Sequence, residues 1–298
     1  MKNRDYYFDN IKGILVLLLI FGNLIEFSIT KNKMSEHIYT YIYFFHMPAF
    51  ILISGFFAKK SLEQIRIKDL LLKLGLSYVI FQIIYLYVHN SLFDNKLEYT
   101  LLTPYWILWL LLSLLFWHIL SFIFNQFKYG LLYAFIIGVA AGVYSEIGLF
   151  LGLSRTLVFF PFFYLGIKLK KKHFMLLKNN FTKLASVCYL IVFYFFVENL
   201  KWFNYEFLWG STSFEYNGFD NITGITFRII QYVSSLMLII SIFSLIPKKK
   251  LFISKIGVHT LYIFLLHGFL IKSIQYFFPE FLPTGGITHY LHFIVISI

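Results

Sequence analysis

The stretch YFDNIKGILVLLLIFGNLIE at residues 7–26 decides the fold class of this chain. Charged and tyrosine-rich residues lead into an apolar run over residues 11–29, which is long enough for a helix to cross the ~30 Å hydrocarbon layer of a bilayer. No small-residue cleavage pattern follows the run. We therefore expect a retained first transmembrane helix rather than a signal peptide.

Comparable apolar stretches recur to the end of the chain. They predict further transmembrane helices over approximately residues 38–58, 70–88, 104–124, 130–146, 155–170, 180–198, 225–246 and 256–277. A tenth begins at His289 but reaches the chain end at Ile298, which is too short for a membrane-spanning helix. We predict an all-α, polytopic transmembrane helical bundle of about ten helices, the last truncated or half inserted, as a single domain over residues 1–298.

The composition excludes a water-soluble protein. Of the 298 residues, 59% are hydrophobic and only 13% are charged, and a soluble domain could not hide that much apolar surface. The net charge of +12 does not indicate a nucleic-acid partner, because the Lys and Arg residues lie in short clusters at the ends of apolar runs. The single cysteine, Cys188, excludes an intrachain disulfide.

The basic clusters predict the orientation of the chain in the membrane. Lys and Arg residues concentrate at residues 2–12, 59–73, 168–183 and 248–255, which alternate with connections that hold most acidic residues. Basic connections stay in the cytoplasm, so we expect a cytoplasmic N-terminus. The longest connection, Lys201 to Thr226, then lies outside, and it is aromatic enough that we expect it to bind or cover something.

Polar residues at membrane depth are candidates for a functional site, because burying them in lipid costs several kcal/mol. The ~1.5 Å rise per helical residue places Asn23 about 18 Å above the cytoplasmic face, with Glu26 one turn higher. The same arithmetic places His46 about 12 Å below the outer face and His267 about 17 Å up. We expect a shared polar site, with Arg155 near the outer end of its helix. The alternative is that each side chain is satisfied separately by a backbone carbonyl.

Two prolines lie within predicted spans. Pro48 and Pro161 should kink their helices and free the carbonyls of Phe44 and Leu157. A freed carbonyl at membrane depth needs a donor, so these kinks border a polar cavity or are simple packing kinks. We expect no metal, because no His or Cys pair has ligand spacing within one helix.

Five segments together resemble the acyltransferase-3 family of membrane O-acyltransferases, and within it the group similar to fucose 4-O-acetylases. The segments follow the family's order along the chain. They are YFDNIKGILVLLLIFGNLIE (7–26), FFHMPAFILISGFFAKK (44–60), PYWILWLLLSLLFWH (104–118), SRTLVFFPFFYLGIKLKK (154–171) and IGVHTLYIFLLHGFL (256–270).

The resemblance implies transfer of an acetyl group from cytoplasmic acetyl-CoA to a hydroxyl of a surface polysaccharide or its lipid-linked precursor. In the family, a basic residue, ten intervening residues and a histidine occupy the first helix. These positions fall on Lys12 and Asn23 here. Lys12 keeps the charge that suits the phosphates of coenzyme A. A carboxamide cannot accept a proton, so Asn23 cannot serve as the general base, and an impaired activity is one expectation.

The resemblance then implies roles for the remaining candidates. His46, in the family's His-Met-Pro motif, takes the role of base with Glu26 as its orienter. Asn23 and Arg155 polarise the thioester carbonyl or bind substrate, and Arg155 joins Lys12 as a candidate for the acetyl-CoA site. The expected substrate-binding residues are His267, Trp106 and Trp209, with Trp202 and Tyr216 as further rings for stacking on sugars.

The expected setting is the bacterial plasma membrane, with lipid and a carbohydrate acceptor as partners and no nucleic acid. Two rival functions stay open. One is a transporter or flippase for a glycan precursor, which the midplane polar residues also suit. The other is a non-catalytic relative that only binds a glycan, which Asn23 favours.

Overall fold

A computed structural model describes residues 4–62, 67–145, 148–200 and 202–279, with side chains omitted at 60–62 and 67–68. All secondary structure in these ranges is helical. The helices are α1 (Tyr6–Ile25), α2 (Lys33–Tyr43), α3 (His46–Leu62), α4 (Ile67–Leu70), α5 (Leu76–Leu92), α6 (Trp109–Phe124), α7 (Gly130–Ala140), α8 (Leu153–Lys168), α9 (Lys171–Leu176), α10 (Asn180–Asn199), α11 (Asn221–Leu245), α12 (Ile253–Val258) and α13 (Thr260–Phe277).

Eight helical segments of the described chain are long and apolar enough to cross a membrane. They are Tyr6–Ser28, Lys33–Lys59, Leu71–Leu92, Trp106–Phe124, Phe150–Lys168, Asn180–Asn199, Asn221–Leu245 and Thr260–Phe277. These segments confirm the polytopic helical bundle. The stretch predicted over 130–146 forms α7, whose 11 residues extend only about 16 Å. The predicted tenth helix lies outside the described residues, and the orientation of the N-terminus stays a prediction.

The described helices fall into two compact units. One comprises Met1–Phe50, Lys171–Tyr205 and Ser234–Ile298, and the other comprises Ile51–Lys170 and Glu206–Val233. We call them the first and second unit. The single domain over residues 1–298 stays a prediction.

The span Lys33–Lys59 is interrupted by a short turn just before Pro48. Helix α2 ends at Tyr43 and α3 begins at His46, so that Pro48 occupies the first turn of α3, where no intrahelical N–H donor is needed. The Phe44 carbonyl, in the break, accepts a hydrogen bond from the Ser235 hydroxyl of α11 at 2.5 Å. The expected donor for this carbonyl is therefore a side chain within the first unit.

Pro161 lies inside α8, which continues past it to Lys168. The Tyr232 hydroxyl donates to the carbonyl of Val158 at 2.5 Å, next to the carbonyl of Leu157 that the proline ring disturbs. A side chain of the second unit therefore supplies a donor beside this proline.

Replacing Ser235 by alanine should destabilise the protein by about 0.6–1.7 kcal/mol, between the average and the largest value for side-chain hydrogen bonds inside a membrane protein. The substitution removes the donor to Phe44 and leaves that carbonyl unpaired. Unfolding in detergent by titration with dodecyl sulfate measures the change. Ser77→Ala is the control, because the Ser77 hydroxyl is exposed and bonds only to the Lys73 carbonyl of its own helical segment. An equal effect of the two substitutions would contradict the role given to Ser235.

Helices α1 and α12 pack closely against each other in the first unit. A Cβ atom on Gly257 would overlap the Asp9 carbonyl oxygen, and one on Gly13 would overlap the Ile253 carbonyl oxygen. The Asn10 amide, between these contacts, donates to the carbonyls of Pro247 and Lys249 at 2.9 and 3.0 Å. The motif YFDNIKG therefore holds the N-terminal end of α1 against α12 and fixes the residues beside it.

Candidate functional site

A buried polar contact joins α1 and α13 in the first unit. The Asn23 Nδ2 atom lies 3.0 Å from the His267 Nε2 atom. Asn23 and His267 are 6% and 4% exposed, so both side chains are shielded from water. The two helices therefore bring together two of the three residues that the depth arithmetic placed at one level.

The hydrogen bonds of His267 assign its tautomer. The His267 Nδ1 atom lies 2.7 Å from the Phe264 carbonyl oxygen, so Nδ1 carries the hydrogen and donates it. The Nε2 atom is then the acceptor, and the Asn23 amide donates to it. The lone pair of His267 is consequently engaged by Asn23.

His46 has the same tautomer as His267, but its Nε2 lone pair stays available. It is the first residue of α3, 2% exposed, and its Nδ1 atom lies 3.0 Å from the Ile42 carbonyl oxygen. Donation from Nδ1 leaves the lone pair on Nε2. Within the ranges that the structure describes, this Nε2 atom has no hydrogen-bond partner. His46 therefore has the form that a general base requires.

Tyr43 links the Asn23–His267 pair to His46. Its hydroxyl donates to the Asn23 Oδ1 atom over a long 3.4 Å, and its ring lies 4.4 Å from the His46 ring in an edge-on arrangement. A second ring, Tyr39, stacks on Tyr43 at 3.8 Å. Asn23, Tyr43, His46 and His267 form one connected cluster, which we call the polar cluster. Tyr43 was not predicted as a site residue.

Glu26 lies just beyond the end of α1, in the short 3₁₀ turn Glu26–Ser28. Its charge acts on the Lys272 ammonium group of α13, which also donates to the Gln275 side chain at 3.0 Å. Glu26 was expected to orient His46, but in the structure the Ile42 carbonyl makes the orienting hydrogen bond. Lys272 was missed, although a lysine inside an apolar run is a signal that could have indicated it.

The N-terminal end of α1 carries a cluster of ion pairs. The buried Asp9 carboxylate binds the Arg4 Nε atom at 2.7 Å and the Lys12 Nζ atom at 3.0 Å. A second pair joins Lys171 to Asp5 at 2.6 Å. Asp9 thus holds two cations, and the trio keeps one net positive charge. Along α1, Lys12 lies about 16 Å from Asn23.

A lysine on the same predicted side of the membrane is bound to backbone instead. The Lys178 Nζ atom donates to the carbonyls of Phe243, Ser244 and Ile246, at distances of 2.5 to 3.1 Å, where α11 ends. Burial, together with the positive charges of Lys183 and Lys248, lowers the pKa of Lys178 to about 8. Because its protons are directed at carbonyls, Lys178 serves the fold rather than a ligand.

The other candidates lie in the second unit. The Arg155 guanidinium lies 5.2 Å from the ring of Trp109, a cation–π contact. The neighbouring Ser154 hydroxyl donates to the Gly210 carbonyl at 2.8 Å, which ties α8 to the long connection. Trp106 and Trp209 are both half-buried, and Trp106 has a positive φ of 37°. Their roles in binding stay predictions.

Arg228, in α11, was missed by the sequence analysis. It is fully buried, and its Nη1 atom donates to the Phe207 carbonyl at 3.2 Å and to the Gln231 side chain at 2.6 Å. Its guanidinium lies 4.1 Å from the Phe207 ring, so it fixes part of the long aromatic connection. The arginine within the apolar run TFRIIQYV was the available signal.

Comparison with known proteins agrees with the segments quoted above. A family model described as an acyltransferase domain, acyltransferase-3, matches residues 5–298. The chain is similar to the nodulation protein NolL of Sinorhizobium fredii, with 41% identity over 64 residues, which are 20% of this chain and 18% of that protein. It is also similar to the protein of that name from Mesorhizobium japonicum, with 39% identity over 64 residues, 20% of this chain and 17% of that protein.

The matched stretch thus spans less than a fifth of either nodulation protein. No solved structure matches this chain.

Proposed function

Because this chain belongs to the acyltransferase-3 family, we propose that it transfers an acetyl group from acetyl-CoA to a hydroxyl of a cell-surface polysaccharide or its lipid-linked precursor. The setting we propose is the bacterial plasma membrane, with acetyl-CoA reaching the protein from the cytoplasm. The observation that carries the proposal is the polar cluster, in which a buried histidine is oriented by its Nδ1 atom and keeps its Nε2 lone pair.

In the proposed reaction His46 is the general base. Its Nε2 atom takes the proton of the sugar hydroxyl while the hydroxyl oxygen attacks the thioester carbonyl carbon. The tetrahedral intermediate then collapses, the carbon–sulfur bond breaks, and the coenzyme A thiolate leaves and recovers the proton from His46. His267 is less suited to this role because the Asn23 amide already donates to its Nε2 atom.

Asn23 stands at the position where the family has histidine, and we propose that it acts as a donor. One amide N–H is used by His267, and the second has no partner among the residues that the structure describes. A buried N–H directed at the developing oxyanion stabilises a tetrahedral intermediate. In this proposal His267 positions Asn23, and Glu26 with Lys272 forms the outer border of the cluster.

The donor site is proposed at the cytoplasmic end of α1. Lys12, held by Asp9, supplies positive charge for the phosphates of coenzyme A, and the extended pantetheine arm covers the ~16 Å from there to Asn23. Arg155 is a second candidate for contact with the donor or the transferred group. Trp106 and Trp209, with Trp202 and Tyr216, supply rings for the polysaccharide acceptor.

The experiment that tests this function measures release of coenzyme A thiol by the purified protein in lipid nanodiscs, with acetyl-CoA and host surface glycan. We expect thiol release that requires both substrates and that matches the acetyl groups gained by the glycan. Movement of glycan across a membrane without thiol release would indicate a flippase. Glycan binding without thiol release would indicate a non-catalytic relative, and either result would overturn the proposal.

A further inference from the structure

A polar cavity lies in the first unit, between the beginning of α2 and the end of α10. Its volume is about 360 Å³, in the lower part of the range for small-molecule sites. We call it the α2–α10 cavity. It is lined by Lys33, Met34, Glu36, His37, Thr40, Val197, Glu198, Leu200 and Phe203.

The Thr40 hydroxyl of this cavity donates to the Glu36 carbonyl at 2.8 Å, but among the described residues the carboxylates and the histidine are not engaged in this way. In the part of the chain that the structure describes, the carboxylates of Glu36 and Glu198 make neither an ion pair nor a hydrogen bond. The His37 Nε2 atom is buried and has no hydrogen-bond partner there either. The His37 ring is fixed edge-on against Tyr194 at 4.4 Å, and Glu198 acts on it electrostatically. Two acceptors and a histidine therefore face one cavity without internal partners.

The remaining wall is apolar. Val197, Leu200 and Phe203 line it, and the Phe203 ring is buried and lies parallel to Phe44 at 5.9 Å. A cavity lined by apolar side chains together with two carboxylates and a histidine suits a ring that has an apolar face and a rim of hydroxyls. A pyranose sugar has that pattern, because its C–H bonds form the apolar face and its hydroxyls donate to carboxylates.

We propose that the α2–α10 cavity binds one neutral sugar unit of the glycan acceptor, as a subsite apart from the polar cluster. The choice of a glycan rests on the proposed function. The cavity has two carboxylates and one ammonium group, Lys33, so that it favours neutral sugars over acidic ones. Helix α2 runs from the α2–α10 cavity to the polar cluster. Glu36 and Tyr43 are about 10 Å apart along its axis, a distance that an oligosaccharide covers.

Binding is tested on the full chain in nanodiscs, without acetyl-CoA, by titration with methyl glucoside, methyl galactoside and methyl fucoside, and with glucuronate as the acidic probe. We expect at least one neutral probe to bind and glucuronate to bind at least tenfold more weakly. Glu198→Gln should weaken the neutral probe by about tenfold or more, because it removes a charged hydrogen-bond acceptor. Glu98→Gln, the same change at an exposed position of the second unit, should leave binding unchanged.

The inference is overturned if no neutral probe binds, if glucuronate binds equally well, or if Glu198→Gln binds like the native chain. Binding is measured separately from acetyl transfer, so the two proposals can fail independently. A chain that binds the neutral probe but releases no coenzyme A contradicts only the proposed function. A chain that transfers acetyl groups while Glu198→Gln leaves binding unchanged contradicts only the subsite.

Discussion

If His46 is the general base, as we propose, replacing it by glutamine should lower the turnover rate of acetyl transfer by about 10²–10⁴, the usual contribution of such a base. Glutamine is of similar size, and its amide N–H can still donate to the Ile42 carbonyl that His46 contacts. It cannot take a proton from the sugar hydroxyl. The maximal rate of thiol release in nanodiscs measures the effect, and the KM for acetyl-CoA should change little because the lost interaction belongs to the transition state.

His89→Gln is the matched control for this substitution. His89 is also buried, but it lies in the second unit and both of its ring nitrogens are bonded. Its Nε2 atom donates to the Asn95 carbonyl and its Nδ1 atom accepts from the Tyr105 hydroxyl, each at 3.0 Å. We expect it to retain a turnover rate within a few-fold of the native chain. Full turnover in His46→Gln would remove His46 from the mechanism.

Replacing Gly257 by alanine destabilises the protein by about 3 kcal/mol, at the top of the range for overpacked sites. The added methyl group would overlap the Asp9 carbonyl oxygen, and backbone cannot move aside as a flexible side chain can. Helix α12 must therefore shift away from α1, which also disturbs the ion pairs of Asp9 with Arg4 and Lys12. Thermal unfolding of the detergent-purified protein measures the loss.

Gly75→Ala provides the comparison for this prediction. A Cβ atom on Gly75 would lie 3.7 Å from the Leu115 side chain, an ordinary van der Waals contact. Alanine is also the better helix former by about 1 kcal/mol, so we expect equal or greater stability. If Gly257→Ala proved as stable as Gly75→Ala, the close contact of α1 with α12 would not be required for folding.

Hydropathy predicted the spans closely because membrane burial depends on length and apolar content, which are both local properties of sequence. It predicted too long a helix over 130–146, where α7 ends at Ala140. The Gly142 carbonyl instead accepts a hydrogen bond from the Phe214 backbone N–H at 2.7 Å. Phe214 lies 72 positions further along the chain, so no local pattern could have indicated where α7 ends.

Depth arithmetic could single out Asn23, His46 and His267 because polar residues are rare in these spans, and their functional roles stay predictions. It could not find Tyr43, since tyrosines in such an aromatic chain mostly pack. It also assumed that Glu26 continues the rotation of α1, whereas the helix gives way to a 3₁₀ turn after Ile25 and the carboxylate acts electrostatically on Lys272. The direction of a side chain at a helix end depends on tertiary contacts that a periodic pattern does not contain.

We propose that His46 takes the general-base role of the histidine that the family has at the position of Asn23. The most direct test compares acetyl transfer from labelled acetyl-CoA to glycan in membranes that carry the native chain or its Asn23→His variant. We expect the native chain to transfer label and the variant to exceed its rate by no more than about threefold, well below the 10²–10⁴ that a restored base would supply. Transfer by the variant alone would contradict the account, because the native chain would then lack a base.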